Sequence, residues 1–97
     1  MSFKLRFTLE AKANLEALSG ASDAARLKKV RRALARLQAD PRYPSLQSHK
    51  YKSLKGSDDE EVWDSYVENH TPTAWRIFWH YGPDAGVITI ITITPHP

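Results

Sequence analysis

Residues 62–94 read "VWDSYVENHTPTAWRIFWHYGPDAGVITIITIT", and the fold follows from this stretch. In "VWDSYVEN", Trp63, Ser65 and Val67 alternate with Asp64, Tyr66 and Glu68. In "AWRIFWHY", Trp75, Ile77, Trp79 and Tyr81 alternate with Arg76, Phe78 and His80. A period of two marks strands with unlike faces. "HTPT" joins these two strands. "GPDAG" is a second turn, with Pro83 and Asp84 suited to its central positions. The closing run "VITIITIT" is β-branched throughout and apolar on both faces, the pattern of a central strand.

Working outward, "FKLRFTL" (residues 3–9) alternates Phe3, Leu5, Phe7 and Leu9 against Lys4, Arg6 and Thr8, which predicts another half-buried strand. Thr8 is placed to cap a helix carrying Ala11, Leu15 and Leu18 on one stripe, with Gly20 as its stop. Ser22 or Asp23 opens a second helix to about Ala39. Its Leu27, Val30, Leu34 and Leu37 share one face, and Lys28, Lys29, Arg31, Arg32 and Arg36 fill the rest. "DPRYPS" ends that helix through Pro41 and Pro44, and a short strand covers about Lys50–Leu54. The order β-α-α-β-β-β-β predicts a single α+β domain over residues 1–97. It has two layers, with a helix hairpin packed on one face of a mainly antiparallel sheet.

The chain has 97 residues, a formal charge of +3 and no cysteine, so neither a disulfide framework nor a thiolate metal site is expected. The N-terminus lacks a signal-peptide pattern, and no apolar run is long enough to span a membrane. A cytoplasmic protein with no membrane partner is therefore expected. No GxxxxGK[ST], HExxH or paired metal carboxylates occur, so no metal or cofactor is expected either.

One layer of helices covers one sheet face. If Trp63, Val67, Trp75, Ile77 and Trp79 lie under the helices, alternation puts Asp64, Tyr66, Glu68, Arg76, Phe78 and His80 on the other face. Beside them runs "HKYKSLKG" (residues 49–56), with His49, Lys50, Lys52 and Lys55, followed by an acidic "SDDEE" hairpin tip. Cations for phosphates and rings for stacking, here Tyr66, Phe78 and His80, are the ingredients of an RNA-binding surface.

The element order, "DPRYPSLQSHKYKSLKG", "VWDSYVEN" and "AWRIFWHYG" together resemble the RelE/ParE superfamily of bacterial toxins from type II toxin–antitoxin pairs. The resemblance covers nearly the whole chain. Its fold implies a first strand beside the last one and the "HKYKSL" strand at an edge. Its activity implies either a ribosome-dependent mRNA endoribonuclease or, in the ParE branch, a non-catalytic inhibitor of DNA gyrase. Its partners would be a cognate antitoxin and, for the nuclease, mRNA on the ribosome, with a homodimer and a toxin–antitoxin hetero-oligomer both open. Residue by residue, the nuclease site carries over to Lys50, Lys52, Lys55, Arg76 and His96. This chain departs from the pattern at Asp64 and Tyr66, where relatives commonly place Arg, and in lacking a C-terminal tyrosine.

Metal-free cleavage through the 2′-hydroxyl needs a base, an acid and cations around the phosphate. Arg76 and Lys52 are assigned to the scissile phosphate, with Lys50 and Lys55 as positioning charges. His96 or His49 is the acid or base, since histidine titrates near neutrality, and Glu68 is an alternative base. A third reading is a chain that keeps the fold and has lost the activity, with Asp64 and Tyr66 marking the loss.

Overall fold

The computed structural model describes residues 2–68 and 74–95. Its elements are β1 (Lys4–Phe7), α1 (Leu9–Ala17), α2 (Ala24–Ala39), β2 (His49–Lys55), β3 (Glu61–Tyr66), β4 (Trp75–Tyr81) and β5 (Val87–Pro95). Among the described residues the strands form one sheet in the order β1-β5-β4-β3-β2. β1 is parallel to β5, and the other pairs are antiparallel. β1 thus lies beside β5 and β2 at an edge, as the resemblance implied. Bulges and lysines on β2 are features that keep an edge from pairing with other chains.

Thr8 begins α1 by accepting a hydrogen bond from the Ala11 amide, as a capping threonine should, and its hydroxyl also donates to the Ile91 carbonyl at 2.6 Å. One side chain thereby starts the helix and ties it to β5. α2 is preceded by a 3₁₀ turn, Ala21–Asp23, and Asp23 makes no side-chain cap. Both helices contribute to a single buried cluster: Ala11 and Leu18, then Val30, Leu34 and Leu37, packed with Ile77, Trp79, Ile88, Ile90 and Ile93 of the sheet. Trp79 is fully buried, and its indole N–H donates to Ser65 Oγ at 2.8 Å. Ser65 Oγ in turn lies 2.6 Å from Ser48 Oγ, so this polar pair in the core is satisfied.

Two irregularities break simple alternation. Phe78 faces Thr92 whereas Trp79 faces Ile90, so Ile91 is an extra residue in β5. The bulge reverses parity and sends Ile88, Ile90 and Ile93 into the same cluster. Asn14 of α1 supports it, its Oδ1 accepting from the Ile93 amide at 2.9 Å and the Thr92 hydroxyl at 3.1 Å. The second irregularity lies in β2. Lys50 faces Trp63 and Lys55 faces Glu61, so β2 has residues 51–54 where β3 has only Val62. The excess length folds the β2–β3 hairpin over the helix-free face. Tyr51 packs on Phe78 with ring centroids 4.9 Å apart.

Candidate functional site

At one end of the helix-free face, β2, β3 and β4 bring four side chains together. Tyr66 sits directly opposite Arg76, and His49 directly opposite Asp64. Asp64 is fully buried. Its carboxylate lies 3.2 Å from Arg76 Nη1 and 3.5 Å from His49 Nε2. Arg76 spreads its guanidinium over the Tyr66 ring, Cζ 3.6 Å from the centroid, a close cation–π contact. The His49 and Tyr66 rings meet edge to face at 6.1 Å. His49 Nδ1 bonds the Gln47 carbonyl at 2.8 Å, which leaves Nε2 toward the carboxylate. The His49 side chain is 49% exposed and the Arg76 side chain 12%. Arg76 Nε is buried without a hydrogen-bond partner among the described residues.

The arrangement holds an arginine flat at the mouth of the site, beside a solvent-reachable imidazole. A buried carboxylate between a guanidinium and an imidazole orients both. A guanidinium so held is pre-organised for an oxyanion, and the imidazole beside it is a proton-transfer group.

Several sequence expectations are corrected here. Glu68 is not on this face: it pairs with Arg26 Nε at 3.4 Å and Lys29 Nζ at 3.7 Å, both on α2. β3 ends at Tyr66, so strand alternation does not extend to residue 68, and Glu68 is removed as a base. Phe78 lies on the expected face but is buried under Tyr51, 2% exposed, and offers no ring to a base. His80 is likewise buried, 5% exposed. Tyr66 serves as the platform for Arg76. His96 lies outside the described residues.

The lysines form a separate group along the hairpin. Lys50 turns toward Trp63, with Nζ 5.8 Å from the ring centroid, and pairs with Glu61 at 2.9 Å. That hydrogen bond and charge hold the Glu61 carboxyl below its ordinary pKa. Lys50, Lys52 and Lys55 line a recess of about 350 Å³ with Tyr51, Glu61 and Val62. Asp64, read from sequence as a member of this face and as a departure from the family pattern, is the residue that organises the cluster. Its diagonal position to Arg76 across adjacent strands was the available signal.

No group of three or more potential metal ligands occurs among the described residues, and no described helix is long and apolar enough to cross a membrane.

No protein-family model matches the chain, and no curated protein sequence does. Solved structures do. A YoeB/ParE toxin from Agrobacterium tumefaciens superposes with a TM-score of 0.72 at 19% identity, covering 97% of this chain and 99% of that one. A chain of the archaeal RelE–RelB complex from Pyrococcus horikoshii OT3 gives 0.68 at 16% identity, with 98% and 96% covered. A chain of the E. coli DinJ–YafQ toxin–antitoxin complex gives 0.64 at 13% identity, with 99% and 94% covered. Over 97–99% of its length, the chain shares the fold of these solved toxin and toxin–antitoxin structures.

Proposed function

We propose that this chain is the toxin of a type II toxin–antitoxin pair and cleaves mRNA on the ribosome through attack of the 2′-hydroxyl. The reading is carried by the meeting of His49, Asp64, Tyr66 and Arg76 on the helix-free face, in a fold shared with YoeB, RelE and YafQ toxins. In this mechanism Arg76 binds the scissile phosphate and takes up charge in the transition state. Tyr66 and Asp64 hold the guanidinium in place. His49 moves a proton at the 2′-hydroxyl or the departing 5′-oxygen, and His96 is the proposed second proton-transfer group. Lys52 and Lys55 engage flanking phosphates, which positions the strand without reading its sequence. An antitoxin is the proposed protein partner, in keeping with the complexes in which the RelE and YafQ structures were solved.

The test is inducible expression in bacteria with mRNA ends mapped on translating ribosomes, for the wild type, His49→Gln and Arg76→Lys. Each variant is first confirmed as folded by thermal melting. The expected result is growth arrest with new mRNA ends for the wild type and loss of both for each variant. Full cleavage by the folded variants removes the assignment. Growth arrest with no new ends, and with blocked gyrase supercoiling, replaces it by the gyrase-inhibitor reading.

A further inference from the structure

α2 presents two unlike flanks beside its buried stripe. Val30, Ala33, Leu34 and Leu37 are buried. At 3.6 residues per turn, Lys29, Arg32 and Arg36 follow one side of that stripe, and Arg31 lies on the other. Lys29, Arg32 and Arg36 line a cleft of about 350 Å³ between α2 and the end of β3, with Ser45, Tyr66 and Glu68 among its other walls. Glu68 is the one acid lining it, and that carboxylate is already shared by Arg26 and Lys29. Among the described residues, Arg32 and Arg36 pair with no carboxylate. Arg36 is held by neutral groups: Nη1 donates to Ser45 Oγ at 3.0 Å, and Cζ lies 5.1 Å from the Tyr43 ring centroid. Arg32 is exposed.

This arrangement does not serve the helix. Lys29 with Arg32, and Arg32 with Arg36, are like charges at i,i+3 and i,i+4, which repel. An anion seated between them would relieve that repulsion. The three cations run along about 10 Å of helix axis, so they match a repeating anion better than a single one. A guanidinium fork also fits two oxygens of one phosphate. Tyr66 ties the cleft to the site already described. It lines the cleft, and its ring carries the Arg76 guanidinium. A strand with its scissile phosphate at Arg76 therefore passes Tyr66 directly onto α2.

We infer that this cleft takes the phosphodiester backbone of single-stranded RNA beyond the point of cleavage, with Arg32 and Arg36 on its phosphates. Charge alone would suit an acidic polypeptide equally; the wall shared with Arg76 favours RNA. The inference rests on the nuclease reading for its biological meaning, but the binding is measurable without a ribosome.

The experiment is fluorescence anisotropy of the full chain with a 2′-O-methyl trinucleotide and decanucleotide, which lack the attacking hydroxyl and stay intact. The wild type should bind the decamer more tightly than the trimer. R32Q, an exposed change that should leave the melting temperature in place, should lose affinity for the decamer and keep that for the trimer. The loss should be about fivefold near 0.1 M salt, with the slope of log K against log salt shallower by about 0.7. R31Q removes the same charge outside the cleft and should leave both affinities near wild type. Equal losses in R31Q and R32Q, or an unchanged decamer affinity in R32Q, overturns the proposal. Displacement of the decamer by polyglutamate as readily as by unlabelled RNA of equal charge assigns the cleft to acidic polypeptide and also overturns it. Decamer binding that depends on Arg32 in a chain that cuts no mRNA sinks the nuclease reading and leaves the cleft. Normal cleavage by the wild type, with R32Q binding the decamer as tightly, sinks the cleft alone.

Discussion

Arg76 Nη1 and Asp64 Oδ2 are 3.2 Å apart, and the carboxylate they share is fully buried. The pair joins structure to proposed chemistry: the charge that orients the arginine is one the fold cannot leave alone. Removing the arginine strands a buried carboxylate, which costs about 3 kcal/mol or more. Arg76→Ala should therefore melt well below the wild type, whereas Arg76→Lys should lose activity with a smaller loss of stability. Urea denaturation of the two variants checks this. Equal stability of Arg76→Ala and wild type would show that solvent reaches Asp64.

Ser65 is tested by its neighbours. Ser65→Ala leaves the Trp79 indole N–H without its acceptor in the core, while the Ser48 hydroxyl keeps its bond to the Pro41 carbonyl. An unsatisfied buried donor costs about 1–3 kcal/mol. The loss should be visible as a lower denaturation midpoint with unchanged slope. The same substitution at exposed Ser53 should have no measurable effect.

The bulge in β5 depends on a side chain distant in sequence. Asn14→Ala removes the acceptor for the Ile93 amide and the Thr92 hydroxyl, at an expected cost of about 1–2 kcal/mol. Hydrogen exchange at the Ile93 amide should accelerate more than exchange at Ile88, because only the former loses its partner.

Glu61 titrates low because Lys50 donates to it and lies beside it. A carboxyl whose pKa is lower in the folded chain binds fewer protons there than in the unfolded one. Its contribution to stability is therefore present above the unfolded pKa and fades as pH falls through the folded value. Lys50→Met should bring the Glu61 carboxyl back toward its ordinary range in a carbon-detected NMR titration. It should also flatten the acid limb of the stability profile.

Much of this molecule was legible without coordinates. The alternation of Trp75, Ile77 and Trp79 against Arg76, Phe78 and His80 named the correct faces, because a side-chain period of two is a property of any strand. Thr8 as a cap and the Val30–Leu34–Leu37 stripe followed equally from local geometry. What alternation could not provide was how covered the helix-free face would be. Phe78 and His80 point the way predicted but are shut in by Tyr51 and Glu60. Those two side chains come from a hairpin whose excess residues leave no mark in hydrophobic pattern. Glu68 was misplaced because the strand stops two residues earlier and the acid is drawn to two cations on α2. The bulge at Ile91 was hidden because a run of β-branched residues reads the same in either parity.

By itself the sequence determined the elements, their order and, within the regular strand β4, which side chains share a face, since these depend on backbone sterics and on spacings of a few residues. Only the tertiary structure decided that Asp64, rather than a lysine, lies between His49 and Arg76, and that Glu60 meets His80 over Gly56. Such contacts depend on strand register and on offsets between neighbouring chains. Register is set by packing the whole core at once and by no single segment.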